Sequence, residues 1–296
     1  MKTLLIKSFL AILTLQNLAH GADLPNIGFS IIKTSNVSVR ESFVYSGGEF
    51  NKMVTSNFSA FLIKHKDSYF LLDTGLGHEV DQQYDKEMPF WQRPFFKYEK
   101  PVVTASEQLK QAGFPAIKKI FISHSHWDHA GAIIDFPGAE VWTSSQEMQL
   151  IKHPTTGAGG TWASQVSDKS IDWHDLQFKD VAYEGFPKSF DLFDDGSVVF
   201  VPMSGHTPGS VGMFLTVDSG KKYFFVGDII WRVEALNKHR PKFFAARSIV
   251  DGDCDGTQKM IDMIADIRDK NPNISIVPAH DGGVQDSLGY FPNWVK

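Results

Sequence analysis

The segment Ile117–Ile122 reads as a buried central strand, and it runs directly into Ser123-His124-Ser125-His126-Trp127-Asp128-His129. No other feature constrains the fold as strongly. A strand covered on both faces belongs in the middle of a layered α/β structure. The residues that follow it concentrate imidazole and carboxylate groups, which suit zinc and related first-row ions. Alternate residues of an extended backbone share a side, so His124 and His126 can grip one ion. Asp128 and His129, past the turn, can reach a second ion nearby.

One loop cannot complete two metal positions, so further ligands are expected at other strand ends. His206 lies in Ser204-Gly205-His206-Thr207-Pro208-Gly209-Ser210, where Gly and Pro favour a tight turn after the strand Ser197–Pro202. Asp228 follows Phe224-Phe225-Val226-Gly227, and His280 follows Ile276-Val277-Pro278-Ala279. Singly, each could be a hydrogen-bonded turn residue. Together with the cluster they read as metal ligands.

Around these sites the chain reads as two strand-rich halves. The first carries Phe29–Ile32, Val37–Val39, Phe58–Ile63 and Tyr69–Leu72, ending at Asp73-Thr74-Gly75. Thr104–Ala112 is predicted to be a helix, with Thr104 as N-cap, Glu107 three residues on and Gly113 beyond its end. Ile133-Ile134, the strand Glu140–Thr143 and the helix Ser145–Ile151 continue the alternation. The second half offers strands at Ser197–Pro202, Val211–Val217, Lys222–Val226 and Ile274–Pro278, and an amphipathic helix over Thr257–Lys270. Gly77–Lys100 is polar and aromatic without a clear period, so it is expected to be a long loop or short helices, and His153–Trp173 is Gly- and Ser-rich and irregular. The pattern implies two packed sheets with helices outside, in one domain.

The N-terminus reads as an export signal. Lys2 and Lys7 flank an apolar stretch, Leu4–Leu18, and Ala19-His20-Gly21 offers a cleavage site after Gly21. The stretch is too short to span a bilayer stably. The expectation is a signal peptide over 1–21, a hydrolase domain over 22–296, and a periplasmic or secreted mature protein. The formal net charge is -5 with no dense Lys/Arg block, which argues against nucleic-acid binding. The single cysteine, Cys254, allows no intrachain disulfide and sits among acidic residues that disfavour a thiolate, so it reads as a spectator.

With these residues in view the sequence resembles the metallo-beta-lactamase-fold superfamily. The resemblance covers about residues 26–296. It rests on Ser123-His124-Ser125-His126-Trp127-Asp128-His129-Ala130-Gly131, Gly205-His206-Thr207-Pro208-Gly209, Gly227-Asp228, Ala279-His280 and Asp73-Thr74-Gly75. It implies an αββα sandwich of the mixed α/β (α+β) class, with two divalent ions, zinc being expected, at the mouth between the sheets. His124, His126 and His206 would hold the first ion; Asp128, His129 and His280 the second; Asp228 would bridge them, and Asp73 would orient ligands. The implied chemistry is attack on a carbonyl by a hydroxide shared between the ions, with Asp128 orienting it or passing its proton on. No Gly-x-Ser-x-Gly elbow is present, and none is needed.

The branches of the superfamily differ at readable positions. Asp228 argues against the beta-lactamases, in which the bridging aspartate is normally absent. The short stretch after His280 does not match the helical domain of glyoxalase II-type thioesterases, and the ligand spacing is closest to N-acyl homoserine lactone lactonases. Those lactonases often carry a tyrosine three residues after the bridging aspartate; here the position is Trp231, a pocket residue with an N–H donor and no hydroxyl. Met88–Tyr98 and Phe243-Phe244 are aromatic segments that could hold an acyl chain or pack in the core. The expected partner is a small molecule with a hydrolysable lactone or ester carbonyl, and a homodimer stays open. Thioesterase-like and beta-lactamase-like hydrolysis remain alternatives, as does a non-hydrolytic metal or flavin-linked redox protein, although His129 stands where the redox relatives carry a carboxylate.

Overall fold

The computed structural model describes residues 24–296; the signal-peptide reading of residues 1–21 lies outside the described residues. The strands form two sheets. In the first, β1 (Ile27–Arg40), β2 (Met53–His65), β3 (Ser68–Leu72), β4 (Lys119–Phe121), β5 (Glu140–Ser144) and β6 (Asp172–Leu176) lie side by side in chain order. β1 to β3 pair antiparallel, and β3 to β6 parallel. The second sheet has the order β11, β10, β9, β8, β7, with β7 at Phe190–Asp191, β8 at Val198–Pro202, β9 at Val211–Thr216, β10 at Lys222–Phe225 and β11 at Ile274–Val277.

Alternation of side chains along the strands builds the layers. Phe61 and Ile63 of β2, with Phe200 of β8 and Phe225 of β10, enter the core between the sheets. Their neighbours Ala60 and Leu62 face a second core with Leu109 of the helix Ala105–Gln111. Val199 and Val201 of β8 face a third, closed by Ile261, Ile264 and Ile267 of the helix Cys254–Lys270. Both faces of both sheets are therefore covered, giving the αββα sandwich.

Local signals decided some boundaries and missed others. Thr104 Oγ1 accepts the Glu107 N–H at 3.2 Å, as the N-cap reading requires. The helix expected over Thr257–Lys270 starts earlier, at Cys254, because the Asp253 carboxylate caps the N–H groups of Asp255 and Gly256 ahead of the first apolar position. Phe29–Ile32 and Val37–Val39 are one strand, interrupted by a bulge between Lys33 and Ser35. Of the two alternatives for Gly77–Lys100, a short helix forms at Val80–Glu87, and within the irregular stretch β6 begins at Asp172.

Strand direction positions the site. β3 and β4 are parallel, β10 and β11 are parallel, and β8 and β10 are both antiparallel to β9. Within each sheet the C-terminal ends of these strands therefore point the same way. Asp73 follows β3, the histidine loop follows β4, His206 follows β8, Asp228 follows β10 and His280 follows β11. Among the described residues no helix is long and apolar enough to cross a membrane.

Candidate metal centre

The loop after β4 turns tightly: the His126 carbonyl accepts the N–H groups of His129 and Ala130, both at 3.0 Å. The turn gathers the imidazoles: the His124 ring lies 4.6 Å from that of His126 and 3.9 Å from that of His129. Gly227, at φ 48°, lets the chain bend between β10 and Asp228, in a left-handed conformation that glycine adopts at little cost. Gly209 allows the helix Ser145–Lys152 to approach, since a Cβ there would lie 2.0 Å from the Glu147 nitrogen.

The predicted ligands converge. Nε2 of His206 lies 3.1 Å from Nε2 of His124 and 3.0 Å from Nδ1 of His126. Nε2 of His129 and His280 are 3.3 Å apart, and Asp128 Oδ2 is 3.3 Å from Nε2 of His280. Asp228 stands between the two groups. Its Oδ1 is 3.1 Å from His280 Nε2 and 3.3 Å from His129 Nε2, while its Oδ2 is 3.7 Å from His206 Nε2.

This donor set fits two metal ions. A tetrahedral ion with bonds of about 2.0–2.1 Å holds its ligand atoms about 3.3 Å apart. Asp228 Oδ1 is buried and accepts no hydrogen bond, a costly state for a carboxylate oxygen unless a cation lies beside it. The imidazoles are also turned for ligation. Nδ1 of His129 bonds Asp73 Oδ2 at 2.8 Å, Nδ1 of His206 bonds Asp251 Oδ1 at 2.8 Å, and Nδ1 of His280 donates to the Asn57 carbonyl at 2.6 Å. His124 Nδ1 is 3.1 Å from Ser123 Oγ. These partners fix the tautomers and leave the Nε2 lone pairs facing inward.

The electrostatics of the two halves differ. Burial pushes His124 and His126 well below the ordinary imidazole value, and it lowers His206 with help from the Lys242 ammonium. Burial acts the same way on His129 and His280, but the neighbouring carboxylates together outweigh it and raise both: Asp228 and Asp128 act on each, and Asp73 also on His129. Burial alone would raise Asp228; the adjacent His280 and His129 instead hold it well below the usual carboxylate range.

The family assignment rests on comparison with known proteins. Residues 57–280 match the metallo-beta-lactamase superfamily model, which is most of the chain. The chain belongs to the metallo-beta-lactamase superfamily. It is similar to N-acyl homoserine lactonase AttM of Agrobacterium fabrum, 28% identical over 179 residues, or 59% of this chain. The match spans 63% of that relative's length. The AttM lactonase of Rhizobium johnstonii is 26% identical over 243 residues, covering 79% of this chain and 85% of that one. The fold is shared with an N-acyl homoserine lactone hydrolase solved with N-hexanoyl-L-homoserine at its catalytic metal centre: TM-score 0.68, 16% identity, 90% of this chain and 98% of that chain covered. It is shared as well with the dizinc lactonase AidC, at TM-score 0.57 and 17% identity, covering 93% of each chain.

In this superfamily member the cluster of predicted ligands floors an apolar cavity of 430 Å³. His126, Asp128, Asp228, Trp231 and His280 reach its base, and Trp91, Phe95, Phe96 and Phe243 line it. The two alternatives left open for the aromatic segments are both realised, at different residues. Met88 and Tyr98 pack with Trp127 and Trp162 in the core. Trp231 Nε1 donates to Asp228 Oδ2 at 2.7 Å, so its N–H is committed to a predicted ligand.

Four supporting residues escaped the sequence reading. Glu147 accepts the Ser125 N–H at 2.6 Å, the Ser125 hydroxyl at 2.5 Å and the Thr207 hydroxyl at 2.6 Å, tying the two ligand loops together. Its position within a helix gives no local signal of this. Asp251 was visible as part of an acidic loop, but nothing in sequence joins it to His206. Lys242 and the Asn57 carbonyl leave no trace at all.

Proposed function

We propose that this chain is a dinuclear zinc hydrolase that opens lactones, with N-acyl homoserine lactones as the substrate class. The observation that carries the reading is the placement of Asp228, bridging the two ligand groups at the floor of an aromatic, apolar cavity. A polar reacting head at the metals and an acyl tail along Trp91, Phe95 and Phe96 suit an amphiphile of that kind. The names of the AttM relatives point to the same substrate.

When bound, the metal pair would supply Lewis acidity, activating water at neutral pH and polarising the carbonyl. His124, His126 and His206 would hold one ion, Asp128, His129 and His280 the other, and Asp228 both. Asp128 also borders the cavity. Burial pushes its carboxyl above the ordinary value, against the pull of His129 and His280, so it can take a proton at this site. In the proposed reaction water adds to the lactone carbonyl, the ring C–O bond breaks, and Asp128 passes the water's proton to the departing alkoxide. The product is an open hydroxy acid. The cavity walls exclude bulk water from the acyl side.

The test is a panel of lactones, thioesters, phosphodiesters and a beta-lactam, assayed with metal-analysed protein before and after chelation and dialysis. Lactone turnover that vanishes on chelation and returns with zinc is expected. Activity that survives chelation, or turnover confined to another class, would overturn the reading. Export after cleavage behind Gly21 belongs to the same proposal. N-terminal sequencing of protein from the periplasm or medium should begin at Ala22. Homodimerisation is checked by light scattering, where a monomer mass rules it out.

A further inference from the structure

The metal centre carries a buried cation that ligation does not require. The Lys242 side chain is 1% exposed. Its Nζ lies 2.7 Å from Asp251 Oδ1, 3.4 Å from His206 Nδ1 and 3.4 Å from the Ile229 carbonyl, and sits 5.5 Å from the centre of the Trp231 ring. Asp251 is the carboxylate that orients His206, and its other oxygen is buried without a hydrogen bond. The opposite half is built differently. His129 is oriented by Asp73, whose remaining partners are the Ser123 N–H at 2.7 Å and the Ser123 hydroxyl at 2.8 Å. Among the described residues no lysine or arginine pairs with Asp73.

A carboxylate behind an imidazole raises the basicity of that ligand and tightens the metal. An ammonium against the same carboxylate cancels much of this, and in a buried site it also repels the dication directly. Both effects act on the His206 side and neither on the His129 side. We propose that Lys242 makes the His124/His126/His206 position the weaker of the two. The ion there exchanges first, and it is the more electron-poor partner for a substrate carbonyl. This inference rests on the dinuclear reading above.

The experiment uses the two-zinc protein and follows zinc release to a chromogenic chelator. The wild type should release one ion fast and one slowly. K242Q should slow the fast phase on the order of tenfold and leave the slow phase unchanged. K242R, which keeps the charge, should release zinc at the wild-type rates. An unchanged or accelerated fast phase in K242Q, or equal slowing in K242R, would overturn the proposal. A second measurement needs no variant. In ¹⁵N-histidine NMR of the apoprotein, the first equivalent of Co²⁺ should shift the imidazole signals of His129 and His280 before those of His206. The reverse order also defeats the inference. Saturation at one ion per chain would instead defeat the dinuclear reading.

Discussion

The indole N–H of Trp231 donates to Asp228 Oδ2 at 2.7 Å, so Trp231 orients the carboxylate that is predicted to bridge the two ions. W231F removes that donor and keeps a smaller aromatic ring at the position. It should lower metal affinity on the order of tenfold, the usual effect of losing a group that orients a ligand. Equilibrium zinc titration against a competing chelator checks this. Wild-type affinity in W231F would show that the hydrogen bond does not support Asp228.

Replacing a ligand itself should cost far more. H126A and D228N are expected to abolish lactone turnover and to purify with fewer than two metals per chain. D228N is the sharper test, because an amide nitrogen replaces one oxygen of a carboxylate that spans both groups. Full metal content in D228N by elemental analysis would remove Asp228 from the ligand set.

Glu147 ties the histidine loop to the His206 loop through Ser125 and Thr207. E147Q keeps the volume but removes the charge and offers one accepting oxygen in place of two, so one buried hydroxyl exchanges a carboxylate acceptor for the neighbouring Thr161 or Ser210 hydroxyl. We expect a loss of about 2 kcal/mol in stability. Urea unfolding of wild type and variant measures it. The apoprotein should show the loss as clearly as the metal-loaded protein, because the clamp does not depend on the ions.

The aromatic wall makes a prediction about chain length. F95A and W91A should raise KM for long acyl chains about tenfold, equivalent to about 1.4 kcal/mol of lost apolar contact. Short-chain substrates should be little affected and kcat nearly unchanged. An equal KM increase for all chain lengths would place the acyl group elsewhere.

Acid sensitivity should arise partly at Asp81, which receives hydrogen bonds from Lys100 and Tyr98 beside the aromatic segment. The Lys100 and Tyr98 hydrogen bonds hold its carboxyl below the ordinary value. Its folded pKa is below its unfolded one, so its contribution is fully present above the unfolded carboxylate value, about 3.9, and is lost as pH falls from there through the lower folded value. D81N should therefore flatten the acid limb of Tm against pH between about 5 and 3. Parallel wild-type and variant curves would exclude Asp81 as a source of that slope.

Much of the centre was legible before any coordinates. His124, His126, Asp128 and His129 are neighbours in the chain, and local spacing is enough to suggest a metal loop. His206, Asp228 and His280 could be found because each follows an apolar strand, and strand ends are where a layered α/β fold exposes polar side chains. The helix at Thr104 was legible through its cap, whereas the helix at Val80–Glu87 was hidden by a polar sequence without clear period.

The sequence by itself determined which residues can bind metal and which faces of which strands must be buried, because those properties belong to side-chain type and to periods of a few residues. The tertiary structure decided what stands behind each ligand. Asp73 and His129 are brought together by parallel β3 and β4, while Asp251, Lys242 and His206 come from separate loops. The tertiary structure also decided which aromatics line the cavity and which enter the core. Those pairings depend on contacts between segments from nine to more than a hundred residues apart, on which no local pattern bears.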